Sequence, residues 1–236
     1  VGTARVPIVP AAVLFDLLVG DGSIRPDAQA GFAACEAASR QPPAQGNVGA
    51  GAGAAIGKMF GMDHAMKGGI GSASVTVEGV TVGALVACNA LGDVLDPDTG
   101  MLIAGARGPG GIELRDTRRS LLRGEPLQPI LAGTNTTIGV IATDTTLTKV
   151  QARRLAMAGH DGLARSINPA HTLSDGDTLF ALGTGMTQRS PGMTVLSVMA
   201  AEAVARATVR AVRCAHSLHA GTTWLPGVAG DAPRRA

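Results

Sequence analysis

Asn135-Thr-Thr-Ile-Gly-Val-Ile-Ala-Thr-Asp144 is the stretch on which the reading of this chain turns. Thr137 to Thr143 has the β-branched, apolar character of a buried strand. It is followed by Thr148 to Ile167, a predicted helix with Thr148 as its N-cap and small residues at Ala152, Ala158 and Gly162 for close packing. The strand comes directly after Glu113 to Gly133, which carries Pro126, Pro129 and four arginines and reads as a loop. Thr136 therefore places a hydroxyl where an irregular segment enters a sheet.

The same reasoning extends in both directions. Ser72 to Val77 and Val80 to Asn89 are strand-like on either side of Glu78-Gly79, a predicted hairpin whose second strand ends at Asn89. Pro26 to Arg40 reads as a helix with Phe32, Ala33 and Ala37 on an apolar stripe, and Met101 to Ala106 as a short strand. Thr178 to Leu182 is a further strand, and Met193 to His216 a long helix buried on most sides. Strands and helices come partly in pairs rather than in strict alternation, which favours an α+β layered fold with a largely antiparallel or mixed sheet.

Composition narrows the function. The 236 residues suffice for one domain with a sizeable core, 45% are hydrophobic, and only 2% are aromatic, with no Tyr. Such a core is packed by Ala, Val, Ile and Leu, and it offers few rings on which to stack bases. A net charge of +2 is too small to indicate a nucleic-acid partner. Apolar runs are interrupted by Asp16 near one end and by Glu202, Arg206 and Arg210 near the other, short of the ~20 residues a membrane helix needs. Cys35, Cys88 and Cys214 are widely spaced and odd in number, which reads as buried reduced thiols and a cytoplasmic setting. The N-terminus has neither an initiator Met nor a signal pattern.

Several motifs fall short on detail. Asn47 to Lys58 is Gly-rich, but a P-loop would need Gly where Ala52 stands and Ser or Thr where Met59 stands, so no nucleotide cofactor is expected. A loop that brings Lys58 and backbone towards a site accounts for it. Asp96-Pro-Asp-Thr-Gly100 opens like a calcium loop but has Arg107 at the twelfth position, and it reads as a tight turn. The five histidines have no matching thiolate or carboxylate spacing, so no metal is assigned.

Asp175-Gly-Asp177 is different. In an extended segment two carboxylates one residue apart share a face and can divide charge and hydrogen bonding between them. Taken alone the pair also reads as a solvated turn, and Thr136 alone as an ordinary strand opener. Together they suggest that a cut between Asn135 and Thr136 would leave one residue carrying both a nucleophilic hydroxyl and an amine base.

These segments resemble the self-processing peptidases that include the L-aminopeptidase/D-esterase DmpA, the β-aminopeptidases and the nylon-oligomer hydrolases. The resemblance runs across nearly the whole chain. It implies a DmpA-like four-layer αββα sandwich, a single hydrolase domain cut into parts 1–135 and 136–236 that stay together and assemble into a homo-oligomer, and no cofactor. It implies Thr136 as nucleophile with Asn135 on the departing side, Asp175 and Asp177 as supporting side chains, Lys58 as the lysine after the Gly-rich loop, and Asn89 as a donor to the oxyanion. Phe15 matches a site-lining tyrosine and lacks its hydroxyl. The implied substrates are small peptides with a free amino end or ω-amino acid oligoamides. Set against the family, the sequence is expected to lack the first sheet strands. A non-catalytic remnant, or a binding or oligomerising protein of the same fold, is the alternative.

Overall fold

A computed structural model of the chain describes residues 2–111, 113–129 and 133–231. Its main sheet has four long strands, β1 (Gly69–Val77), β2 (Val80–Asn89), β3 (Thr136–Thr145) and β4 (Thr178–Thr187), lying side by side in that order. The helices are α1 (Ala28–Glu36), α2 (Thr117–Leu122), α3 (Lys149–Ser166) and α4 (Met193–Arg213). β1 and β2 form the expected hairpin, paired from Val77↔Val80 to Gly69↔Cys88. Its two turn residues, Glu78 and Gly79, both have positive φ, the geometry whose twist matches that of the flanking strands. β3 pairs antiparallel with β2 and parallel with β4, so the sheet is mixed, and α3 supplies the crossover that a parallel pair requires.

Alternation along the strands sets the faces. Val80, Val82, Ala84, Val86 and Cys88 of β2 and Ile141 of β3 are buried on one face, under α3 and α4. α4 buries Leu196, Met199, Ala200, Ala203, Val204 and Ala207, a helical spacing of small and branched side chains. Small residues let the two helices approach closely: a Cβ at Gly162 would stand 2.2 Å from the Ala201 carbonyl oxygen. α3 begins with a complete capping box between Thr148 and Gln151. The opposite face of the sheet is more open, with Val140 39% and Leu182 45% exposed. A second, three-stranded sheet has Asp93–Leu95 between Leu102–Ala104 and Ile167–Asn168. Among the described residues no helix is long and apolar enough to cross a membrane.

Three expectations need correction. The 113–133 segment is not all loop, because α2 forms inside it. Asp116 caps that helix, and buried Asp93 accepts hydrogen bonds from the Thr117 amide (2.7 Å) and hydroxyl (2.8 Å). α1 exists, capped by Asp27, yet none of its residues is buried and Phe32 is 59% exposed. Capping and alanine propensity hold it there, not an apolar stripe. Of the cysteines only Cys88 is buried; Cys35 is exposed and Cys214 half-buried.

Candidate active site

The end of β2, the start of β3 and the loop before β4 converge on one peptide bond. Strand register places Thr136 opposite Asn89, and Asn135 forms a parallel bridge to Asp175. Asn89, Asn135 and Thr136 are all buried. The Asn135 carbonyl oxygen receives two donors: the Thr136 hydroxyl at 2.6 Å and the Gly176 amide at 2.7 Å. Gly176 can approach because it has no side chain; a Cβ there would stand 3.0 Å from Thr136 Oγ1. The carbonyl thus has a hydroxyl and a backbone N–H on the same oxygen, a potential nucleophile and a potential oxyanion donor at one peptide bond.

The two aspartates have separate partners. Asp177 Oδ1 accepts from the Thr137 amide at 2.7 Å, and its Oδ2 lies 2.9 Å from His171 Nδ1. Asp175 Oδ2 accepts from the Thr172 hydroxyl (2.7 Å) and amide (3.1 Å), while its Oδ1 is 3.4 Å from the Leu91 amide. One carboxylate thus ties the loop to β3 and the other shapes the loop itself. The turn lies at Leu173–Ser174, before the pair, and Asp175 is bridged to Asn135 in the same parallel register that β4 continues from Thr178.

Lys58 and Asn89 form the next layer. Lys58 Nζ donates to the Asn89 backbone carbonyl (2.9 Å) and to its Oδ1 (3.0 Å), which also accepts from the Ala55 amide (3.0 Å). The Asn89 side-chain NH₂ donates to the carbonyls of Phe15 (3.1 Å) and Thr134 (3.5 Å). With donors on one side and acceptors on the other, the orientation of this amide is fixed by its network. Burial lowers the Lys58 pKa to about 7, against the opposing pull of Cys88 and Asp175. Its charge is therefore in balance near neutrality.

A cleft of ≈ 220 Å³ opens on the Asn135 side of the bond, lined by Phe15, Asp16, Val19, Lys58, Met62 and Asn89 among others. Phe15 contributes an apolar wall and, through its carbonyl, a partner for Asn89.

Some participants left no mark in the sequence. Lys67 is fully buried and donates to the carbonyls of Gly51, Ala54 and Gly68 at 2.7 to 2.9 Å, which folds the Gly-rich loop around it. Burial brings its pKa down to about 7 as well. Neither it nor the Gly176 amide belongs to a pattern that spacing alone could reveal. His171 could have been noticed as a titratable group close before the aspartate pair.

The profile of peptidase family S58 matches residues 2–223. The chain belongs to this family. Relatives named as aminopeptidases and as an oligomer hydrolase agree with this membership. An uncharacterized aminopeptidase of Mycobacterium leprae (strain TN) is 41% identical over 256 residues, which cover 95% of this chain and 67% of that protein. A 6-aminohexanoate-oligomer endohydrolase of Kocuria sp. (strain KY2) is 32% identical over 186 residues, covering 78% and 52%. Among solved structures, a β-aminopeptidase of Burkholderia sp. superposes with a TM-score of 0.55 at 28% identity, over 85% of this chain and 54% of that one. The L-aminopeptidase D-Ala-esterase/amidase of Ochrobactrum anthropi, described as a prototype of the serine aminopeptidases and a variant of the Ntn-hydrolase fold, gives 0.54 at 26% identity, over 80% and 51%. The layered α+β fold expected from the sequence is thus shared with these enzymes. The S58 chain spans about half the length of these solved structures.

Proposed function

We propose that this chain is a self-processing amide hydrolase whose nucleophile is Thr136, freed by scission of the Asn135–Thr136 bond. The observation that carries the reading is the Asn135 carbonyl, which takes both the Thr136 hydroxyl at 2.6 Å and the Gly176 amide at 2.7 Å. In the first step Oγ1 bonds to the Asn135 carbon and its proton passes to the Thr136 nitrogen. The C–N bond then breaks, leaving an ester. Water opens the ester, giving a carboxyl group on Asn135 and a free amine on Thr136. The Gly176 N–H stabilises the negative oxygen as it forms; such a donor typically contributes ~3 to 4 kcal/mol.

After the cut, parts 1–135 and 136–236 stay packed as one domain, since β2 and β3 lie on opposite sides of the break and are paired along their length. The new α-amine, with an ordinary pKa of ~7.7 to 8.0, takes the hydroxyl proton in each turnover. Asp177 and Asp175 fix the strand and loop around it, and Lys58 holds Asn89, whose NH₂ exchanges its long bond to the Thr134 carbonyl for the substrate oxyanion as the second donor. Small peptides with a free amino end, or ω-amino acid oligoamides, are the substrates this reading assigns. The aminopeptidase and 6-aminohexanoate-oligomer relatives support that class.

Denaturing mass spectrometry of the expressed chain tests the processing step. Two fragments meeting between Asn135 and Thr136 are expected, with a single uncut chain for Thr136→Ala. An uncut chain in both would overturn the reading and favour a non-catalytic protein of the same fold.

A further inference from the structure

We propose that His171 is a positioning residue for the Thr136 nucleophile: its imidazole holds Asp177, and Asp177 holds the Thr137 amide next to the reacting hydroxyl. The inference rests on the reading of Thr136 given above and adds to it a residue that reaches the reacting atoms only through another.

The geometry is a short relay. His171 Nδ1 lies 2.9 Å from Asp177 Oδ2, and Asp177 Oδ1 lies 2.7 Å from the Thr137 nitrogen. An ionised carboxylate can only accept, so Nδ1 carries the proton and donates. The Asp177 side chain is only 5% exposed, so loss of this donor leaves a buried carboxylate oxygen to find another partner. The simplest way is for the side chain to turn, which releases the Thr137 amide and the strand start with it.

The backbone at His171 points the same way. Its φ is +55°, and Glu78, in the hairpin turn, is the other non-glycine residue with positive φ among those described. Such a conformation costs on the order of 1 kcal/mol or more and persists where the surroundings over-determine it. Glycine or asparagine would suit this backbone better than histidine. What the imidazole adds is its bond to Asp177. Its ring also packs on His160 of α3, with centroids 5.0 Å apart, and is steadied from behind. Burial, followed by the neighbouring His171, lowers the pKa of His160 and favours a neutral partner there, against the pull of Asp177 and Asp161.

The two effects separate cleanly in two variants. His171→Gly relieves the backbone and removes the donor; His171→Asn suits the same backbone and keeps an N–H near the place of Nδ1. The expected result for His171→Gly is scission slowed about ten- to a hundredfold with a thermal midpoint within a few degrees of the parent, the relieved backbone offsetting part of the lost hydrogen bond. His171→Asn is expected to restore scission to within a few-fold of the parent. Scission at the parent rate in His171→Gly overturns the proposal while leaving the Thr136 reading intact. Equal slowing in both variants with a lowered midpoint also overturns it, since that marks a structural role. A parent chain that is never cut removes the Thr136 reading and this inference together. An independent readout uses the uncut Thr136→Ala chain, in which the Thr137 amide proton resonance reports the bond to Asp177. That resonance is expected to move upfield on adding His171→Gly and to return with His171→Asn, and no movement overturns the relay.

Discussion

The proposed scission of the Asn135–Thr136 bond depends on tenths of an ångström contributed by a residue with no side chain. Gly176 donates its amide to the Asn135 oxygen while leaving the Thr136 hydroxyl in place, and a Cβ at this position would stand 3.0 Å from that hydroxyl oxygen. Gly176→Ala is therefore expected to slow scission by about tenfold or more with little change in thermal midpoint, read from the growth of the 136–236 fragment. In the proposed scission Lys58 acts at one remove, through Asn89, which it holds by one hydrogen bond to the backbone carbonyl and one to the side-chain oxygen. With a pKa of about 7 its ammonium form predominates below that pH and is lost above it. The α-amine does not exist before the cut and adds no limb of its own. Scission is expected to fall as pH rises through about 7, approaching tenfold per unit if only the charged form is active. Lys58→Met is expected to be slow throughout and to lack this step; initial rates from about pH 6 to pH 9 decide it.

The elements that carry the site were legible where their causes are local. The β1/β2 hairpin follows from alternation about Glu78-Gly79, and α3 from its N-cap at Thr148 and its spaced small residues, so both were found with ends close to those observed. α2 was missed because its anchor is remote: Asp93, 24 positions before Thr117, accepts from both its amide and its hydroxyl. The aspartates were found as a pair, but their division of partners depends on groups remote in sequence, the Thr137 amide for Asp177 and the Leu91 amide for Asp175, which no alternation pattern encodes. Lys67 stayed hidden for the same reason, since its three carbonyl partners are set by a loop folded in space. α3 and α4 pack closely where Gly162 meets the Ala201 carbonyl, and a Cβ there at 2.2 Å would force two helix backbones apart. Gly162→Ala gains helix propensity of about 1 kcal/mol at most. The steric cost outweighs it, and a net loss of about 2 kcal/mol or more is expected, read as a lowered urea midpoint with an unchanged slope.

Across the whole molecule, one fully buried lysine, Lys67, and one half-buried, Lys58, stand in a chain whose net charge is only +2, and desolvation brings the pKa of each down to about 7. Their effect on stability has a definite sign. In the unfolded chain a lysine keeps its proton up to about pH 10.4, whereas in the folded chain Lys58 and Lys67 lose theirs from about pH 7. Between these values the unfolded state binds more protons, so stability rises with pH. Cys88 works against this at the alkaline end: burial pushes its pKa up to about 12, so above its ordinary pKa of 9.0 the folded state keeps a proton that the unfolded state loses, and the rise from the two lysines is cut by about half. The gain from about pH 7 to about pH 9 is on the order of 2 kcal/mol for each lysine. Measured in the uncut Thr136→Ala chain, the urea midpoint is expected to be higher at pH 9 than at pH 7. Lys67→Met removes one of the two contributions and leaves the carbonyls of Gly51, Ala54 and Gly68 without their donor. Those two effects oppose each other at any single pH, so the level of stability is a poor test. The slope is the better one: it is expected to fall by about half in Lys67→Met, and an undiminished slope would place the Lys67 proton elsewhere than its burial implies.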